Sequence, residues 1–273
     1  MSFSSSKIGD SLSLKIKKNS KKKSELWVIK IGSQLITDGG PLLIRALTQE
    51  VAELVKTKKL RIVWVTSGAI ASARQRMHHQ WKSLPEKQAL SAIGQPMLME
   101  LYNIALQSQG LMGAQVLLSY SDFRRRESRN NLQNTIKKLL EWQVVPILNE
   151  NDVVATDEIQ FGDNDQLSAM VACEINADRL IILTNVKGLY DGDPLNLNSN
   201  LMPFIPKVTK AILNKTISKK ISKMGRGGMT SKLLAAQKAW SQGIPTTIVQ
   251  GNLDRVLSRL LNKEEIGTVV GQR

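Results

Sequence analysis

The residues of strongest chemical character lie between positions 149 and 165. Asn149-Glu150-Asn151-Asp152 opens this stretch, and Gly162-Asp163-Asn164-Asp165 closes it after a short, hairpin-like spacer. Carboxylates and amides at this density are costly to bury without partners and too patterned for an ordinary loop. Such side chains suit gripping something small, polar and partly cationic. A second set is rich in glycine and lysine: Lys30-Ile31-Gly32-Ser33, Thr66-Ser67-Gly68-Ala69, and Gly225-Arg226-Gly227-Gly228 with Lys232 beyond it. Glycine lets the backbone approach a ligand closely, and N–H groups at a helix start can hold phosphate oxygens.

These stretches follow apolar runs or open helical ones. Residues 26–31, 61–65, 114–118, 144–148, 179–183 and 244–249 read as short buried strands. Apolar residues keep helical spacing over 44–59, 86–109, 166–176, 230–242 and 254–261, with further helices near 74–81 and before Trp142. Asp38-Gly39-Gly40-Pro41 signals a turn, and 190–223 reads as a less regular excursion over the sheet. Near-continuous apolar strands alternating with helices predict an α/β fold, a three-layer α/β/α sandwich around a mainly parallel sheet. In such sheets ligands gather outside the carboxyl ends of the strands, where the first two glycine loops fall. With no internal repeat and no linker, residues 25–273 are expected to form one domain, preceded by a basic, disordered tail over 1–24.

Composition narrows the function classes. Hydrophobic content of 42% and charged content of 22% are those of an ordinary globular protein. Aromatic content of 4% argues against base-stacking platforms for nucleic acid. The single cysteine, Cys173, excludes an internal disulfide and a cysteine zinc site, and it fits a reducing cytoplasm. No apolar run is long enough to span a membrane, and the first twenty residues lack the apolar core of a secretion signal. Seven lysines and one aspartate within residues 1–24 supply +6 of the net charge of +15. That tail has the composition of a solvated extension. His78-His79 would diverge on a helix and do not suggest a metal. Arg124 to Arg129 fits a solvated helix start as well as a nucleotide or subunit contact.

Neither standard nucleotide fingerprint occurs, because Gly225-Arg226-Gly227-Gly228 breaks the spacing of Gly-x-Gly-x-x-Gly and no P-loop is present. Instead, the ordered motifs resemble the amino acid kinase family. They are Val28-Ile29-Lys30-Ile31-Gly32-Ser33, Val65-Thr66-Ser67-Gly68-Ala69-Ile70, the two acidic clusters, Leu183-Thr184-Asn185-Val186-Lys187-Gly188-Leu189-Tyr190 and Gly227-Gly228-Met229-Thr230-Ser231-Lys232. The acidic pair, with Lys87-Gln88-Ala89-Leu90-Ser91-Ala92-Ile93-Gly94-Gln95, is similar to the branch that phosphorylates the side-chain carboxylate of L-glutamate, the first step of proline synthesis. The likeness runs from about residue 26 to residue 268.

The resemblance implies ATP as phosphoryl donor and Mg2+ held mainly by phosphates and water. It assigns catalysis to Lys30, Lys232, Asp165 and Asp163, with the lysines on the transferred phosphoryl group and Asp165 organising them. It assigns glutamate binding to Ser67, Asp152 and Asn164. Nucleotide binding falls to Lys30, Thr184, Asn185, Arg226, Gly227, Gly228, Met229, Thr230, Ser231 and Lys232. It further implies a cytoplasmic homo-oligomer, a dimer or tetramer, with proline as feedback inhibitor.

Some positions depart from the family pattern. Asn185 stands where Asp is usual, Arg226 where a smaller residue is common, and Ala73 where Gly is frequent. Many members carry a C-terminal PUA domain, and the expectation here is a short form without it. Two other readings remain open on the residues. One is a kinase for another small carboxylate or phosphate. The other is a catalytically silent sensor whose basic tail docks an anionic partner.

Overall fold

The computed structural model describes residues 24–57, 59–74, 76–77, 83–154, 164–194, 196, 198–216 and 228–272. The elements run β1 (Glu25–Ile31), α1 (Ser33–Lys56), β2 (Leu60–Val65), α2 (Ala69–Arg74), α3 (Leu84–Gln107) and β3 (Met112–Leu118). A 3-10 turn at Tyr120–Phe123 leads to α4 (Arg126–Glu141), β4 (Val144–Glu150), α5 (Asp165–Glu174), β5 (Arg179–Thr184) and β6 (Phe204–Ile205). The chain closes with α6 (Lys210–Thr216), α7 (Met229–Trp240), β7 (Thr246–Gln250), α8 (Val256–Leu261) and β8 (Thr268–Val270).

The strands form one eight-stranded sheet in the order β3-β4-β2-β1-β5-β7-β8-β6. Neighbours from β3 to β7 pair in parallel, and β8 runs antiparallel to β7. The mainly parallel sheet expected from the apolar strands is therefore present. The chain leaves β1 for β2 on one side and later returns as β5 on the other, so β1 and β5 flank the switch point. Successive side chains of a strand face opposite layers. Along β1, Trp27, Ile29 and Ile31 enter one core, with residues of α1, α3 and α8. Leu26 and Val28 enter the other, with residues of α4, α5 and α7. Alternation sends Lys30 to this second layer, the one that contains α5 and α7. The three layers predicted from the sequence follow.

The turn signal at Asp38-Gly39-Gly40-Pro41 does not separate a strand from a helix. It breaks a helix: α1 is continuous apart from Gly40, at φ 53° and ψ −151°, with Pro41 restarting it. Helix α3 opens on a capping box in which Glu86 N–H donates to Ser83 Oγ and Ser83 N–H donates to the Glu86 carboxylate. The region after β5 is irregular as expected, held by an isolated bridge between Tyr190 and Leu201 and by the two-residue β6. No helix among the described residues is long and apolar enough to cross a membrane.

Candidate active site

Strand register brings the predicted loops to one edge. Lys30 is level with Val65 of β2 and Ile182 of β5, and Val65 is level with Leu148 of β4. The next residues outward are therefore Thr66, Ser67, Asn149 and Thr184, all at the carboxyl ends of parallel strands. Gly68 follows with φ +104°, a conformation that excludes most side chains and turns the chain into α2. Gly32 donates its N–H to Leu183 O at 3.4 Å across the switch point. A Cβ at Gly32 would lie 3.8 Å from Lys30 Nζ, so this glycine leaves the space beside the ammonium group open.

The centre of the edge is Asp165, in the first turn of α5 and fully buried. Lys30 Nζ lies 2.6 Å from Oδ1, and Lys232 Nζ lies 3.1 Å from Oδ2. The Lys30 approach is an ion pair outside hydrogen-bond angles, whereas Lys232 and the Ser231 hydroxyl, at 2.9 Å, both donate to Oδ2. Both lysines are themselves buried. One carboxylate between two ammonium groups leaves an excess positive charge where screening by water is weak. Such a site draws an anion. Helix α7 adds to this: its N-terminus follows Gly228, around which a Cβ would meet nothing within 4 Å among the described residues, and N–H groups at a helix start favour phosphate.

A second cluster lies beside it. Asn164 is the N-cap of α5, yet its side chain does not cap the helix. Its Nδ2 donates instead to Thr66 O and to Asn149 Oδ1, the latter at 2.6 Å. Asn149 Nδ2 in turn donates to Gln95 Oε1 at 2.7 Å. The Thr66 hydroxyl meets Tyr102 Oη at 2.8 Å. Asp152, just beyond β4, accepts from the Ser91 hydroxyl of α3. Burial pushes the Asp152 carboxyl above the ordinary range, and the Ser91 hydrogen bond offsets part of that rise. A half-buried carboxylate held this way gains most from a cationic group placed against it.

A profile of the amino acid kinase family matches residues 25–250. The chain belongs to the amino acid kinase family. The glutamate 5-kinase of Hahella chejuensis is 40% identical over 249 residues, covering 89% of this chain and 64% of that protein. That of Syntrophus aciditrophicus is 42% identical over 248 residues, covering 89% of this chain and 64% of its own length. The chain thus spans a little under two thirds of these relatives. The product complex of T. acidophilum isopentenyl phosphate kinase aligns with a TM-score of 0.60 at 16% identity, over 90% of this chain and 99% of that one, and shares the fold.

Within this amino acid kinase, Lys30, Lys232 and Ser231 come together on Asp165, while Asn164, the residue before it, bonds to Thr66 and Asn149. Ser67 follows β2 and Thr184 ends β5, the strands on either side of β1, and Asn185 follows Thr184. Thr184 Oγ1 donates to Asn185 Oδ1 at 3.4 Å, so the two nucleotide-side residues touch each other. Met229 and Thr230 form the first turn of α7, after Gly228. Asp163, Arg226 and Gly227 lie outside the described residues, as do His78 and His79. Among the described residues no group of three or more His, Cys, Asp or Glu could hold a metal.

The sequence marks Ser91 and Gln95 only through the family resemblance, and it places Asn149 in the polar stretch without a role of its own. Tyr102 was absent altogether. A signal existed for two of them: Ser91 and Gln95 are four apart on a helix, so they share a face. That this face meets β4 could not be read without the topology.

Proposed function

We propose that the chain transfers the γ-phosphoryl group of ATP to the side-chain carboxylate of L-glutamate, giving ADP and glutamyl 5-phosphate. The observation that carries this reading is the buried Lys30–Asp165–Lys232 set beside the Asn164–Asp152 cluster: an anion site next to an ammonium site. The glutamate 5-kinase relatives support the choice of substrate.

The nucleophile is a carboxylate oxygen, ionised at neutral pH because an unperturbed glutamate carboxyl has a pKa of about 4.3. No group needs to remove a proton from it. The new bond forms between that oxygen and the γ-phosphorus. The bond to the β–γ bridging oxygen breaks, and its electron pair leaves with ADP. Two anions must approach each other, so the work lies in positioning and in charge neutralisation. Lys30 and Lys232 meet the transferred phosphoryl group, and Asp165 keeps the two ammonium groups apart and aimed. Ser67, Asp152 and Asn164 hold glutamate, with Asp152 against its ammonium group. Thr184, Asn185 and the segment 226–232 hold ATP, and Asp163 supports the lysine network.

Magnesium bound with the nucleotide would neutralise phosphate charge. Since Asp165 is already committed to two lysines, the ion would rest on phosphate oxygens and water. In this reading residues 25–273 act as the kinase domain of a cytoplasmic homo-oligomer, inhibited by proline at or near the glutamate site. The test is trapping of the acyl phosphate as hydroxamate from purified protein, ATP and a panel of glutamate, aspartate, N-acetylglutamate and UMP, with and without proline. Product from glutamate supports the reading. Absence of product from glutamate in the wild type overturns it.

A further inference from the structure

The polarity of the amide chain beside the active site can be read without ambiguity. Thr66 O is a backbone carbonyl and can only accept, so the Asn164 atom facing it is the Nδ2 nitrogen. The Glu150 backbone N–H can only donate, so the Asn149 atom it meets at 2.9 Å is the Oδ1 oxygen. Asn149 then presents Nδ2 to Gln95, which must answer with Oε1. Every orientation along Gln95–Asn149–Asn164 is fixed from two backbone groups. At one end both N–H groups of Asn164 are used, and Oδ1, an acceptor, is what it has left for a ligand. At the other end Gln95 Nε2 is buried and has no hydrogen-bond partner among the described residues.

An unmet buried donor destabilises a fold, and replacing such a group with an apolar one of similar shape can be neutral. Gln95 therefore gives little to stability through Nε2, and its one strong contact acts on Asn149. We propose that Gln95 is a positioning residue for amino-acid selection: the Thr66 carbonyl sets Asn164 as an acceptor, and Gln95, through Asn149, anchors where that acceptor sits, so that the pocket favours a carboxylic acid carrying an ammonium group. The proposal rests on the carboxylate-kinase reading above. Asn164 Oδ1 and the Asp152 carboxylate then form an acceptor pair for that ammonium group. Were Asn164 free to rotate by half a turn, it would offer a donor instead and repel the same group.

The experiment compares wild type, Gln95→Met and Gln95→Glu with L-glutamate and with glutarate, the same dicarboxylic acid without its amino group. Gln95→Met keeps length but loses the acceptor; Gln95→Glu keeps an acceptor for Asn149. In the Met variant the glutamate KM is expected to rise about tenfold, the effect of one hydrogen bond. The kcat, the ATP KM and the kcat/KM for glutarate stay near wild type, while the melting temperature falls modestly because the buried Asn149 Nδ2 loses its acceptor. Gln95→Glu restores much of the glutamate KM. Should Gln95→Met not fold, Gln95→Leu reads the same loss with less bulk. A wild-type glutamate KM in the Met or Leu variant, or an equal loss for glutamate and glutarate, would overturn the proposal. Wild-type protein making no acyl phosphate defeats the proposed function instead. Calorimetric binding of glutamate against glutarate then decides the orientation, with the same loss expected.

Discussion

Lys30 of the first strand and Asp165 of the first turn of α5 meet at 2.6 Å with almost no side-chain surface open to water. Strand alternation sends Lys30 into the helical layer of α5 and α7, and the acid is there to receive it. Lys232 reaches the other oxygen of the same carboxylate. Removing the acid strands two buried cations. Asp165→Ala should lose stability of about 3–5 kcal/mol, the penalty for breaking a buried ion pair from one side. It should also abolish acyl phosphate formation. Denaturant unfolding and the hydroxamate assay check the two together; an Asp165→Ala protein of wild-type stability would contradict the geometry.

The Asp152 carboxyl is raised from an ordinary 3.8 by burial, with the Ser91 hydroxyl pulling it partly back. The sign follows from the raised folded value. Below the unfolded pKa both states are protonated, and this group's stabilising share is complete; it is lost as pH rises through the folded pKa. Binding runs the other way, because a substrate ammonium group needs the ionised form. The glutamate KM should therefore rise as pH falls through a window above 3.8, while the ATP KM stays flat there. In Asp152→Asn only the dependence due to the substrate's own carboxylate, at about pH 4.3, should remain, and the glutamate KM should be high throughout. Initial-rate measurements across the acid range decide it.

How much of this was legible depends on whether a residue's role is local or comes from topology. Lys30 reads as functional from sequence because an interior lysine in Val28-Ile29-Lys30-Ile31 has no ordinary reason to be there. Asp165 and Lys232 read through the motifs around them, and the strands were placed to within a residue or two. Gly40 reads as a turn because Gly-Gly-Pro disfavours helix, and the chain does kink there, but between two helical pieces. The short strands β6 and β8 gave no periodic signal, being two and three residues long. Gln95 and Tyr102 stayed silent for another reason. Their partners, Asn149 and Thr66, are far along the chain, and only the packing of α3 on the strand ends joins them.

Gly94 lies between Ser91 and Gln95 on α3 and allows that helix to sit against α2. A Cβ there would fall 1.8 Å from Ala69 O and 2.9 Å from Ala73 N, both backbone atoms that cannot rotate away. Gly94→Ala should push α3 off α2 and cost about 1–3 kcal/mol, typical of overpacking. Because Ser91 and Gln95 move with it, the glutamate KM should rise more than the ATP KM. A thermal melt with two KM measurements is sufficient; an equal change in both KM values would place the effect elsewhere.

Ser231 offers a way to separate the two halves of the site. Its hydroxyl donates to Asp165 Oδ2 at 2.9 Å, on the oxygen that also takes Lys232, and makes no contact with the Asn164–Asp152 cluster among the hydrogen bonds described. Ser231→Ala leaves both lysines and the acid in place but removes one donor that fixes the carboxylate between them. Hydrogen bonds to charged groups contribute about 1.5–3 kcal/mol, so kcat should fall by about tenfold to a hundredfold. The glutamate KM should stay at its wild-type value, the reverse of the change expected in Gln95→Met. Ser231→Thr keeps the hydroxyl and should retain most of the rate. If Ser231→Ala raises the glutamate KM and spares kcat, Asp165 serves glutamate binding, and the division between phosphate and amino-acid sides is wrong.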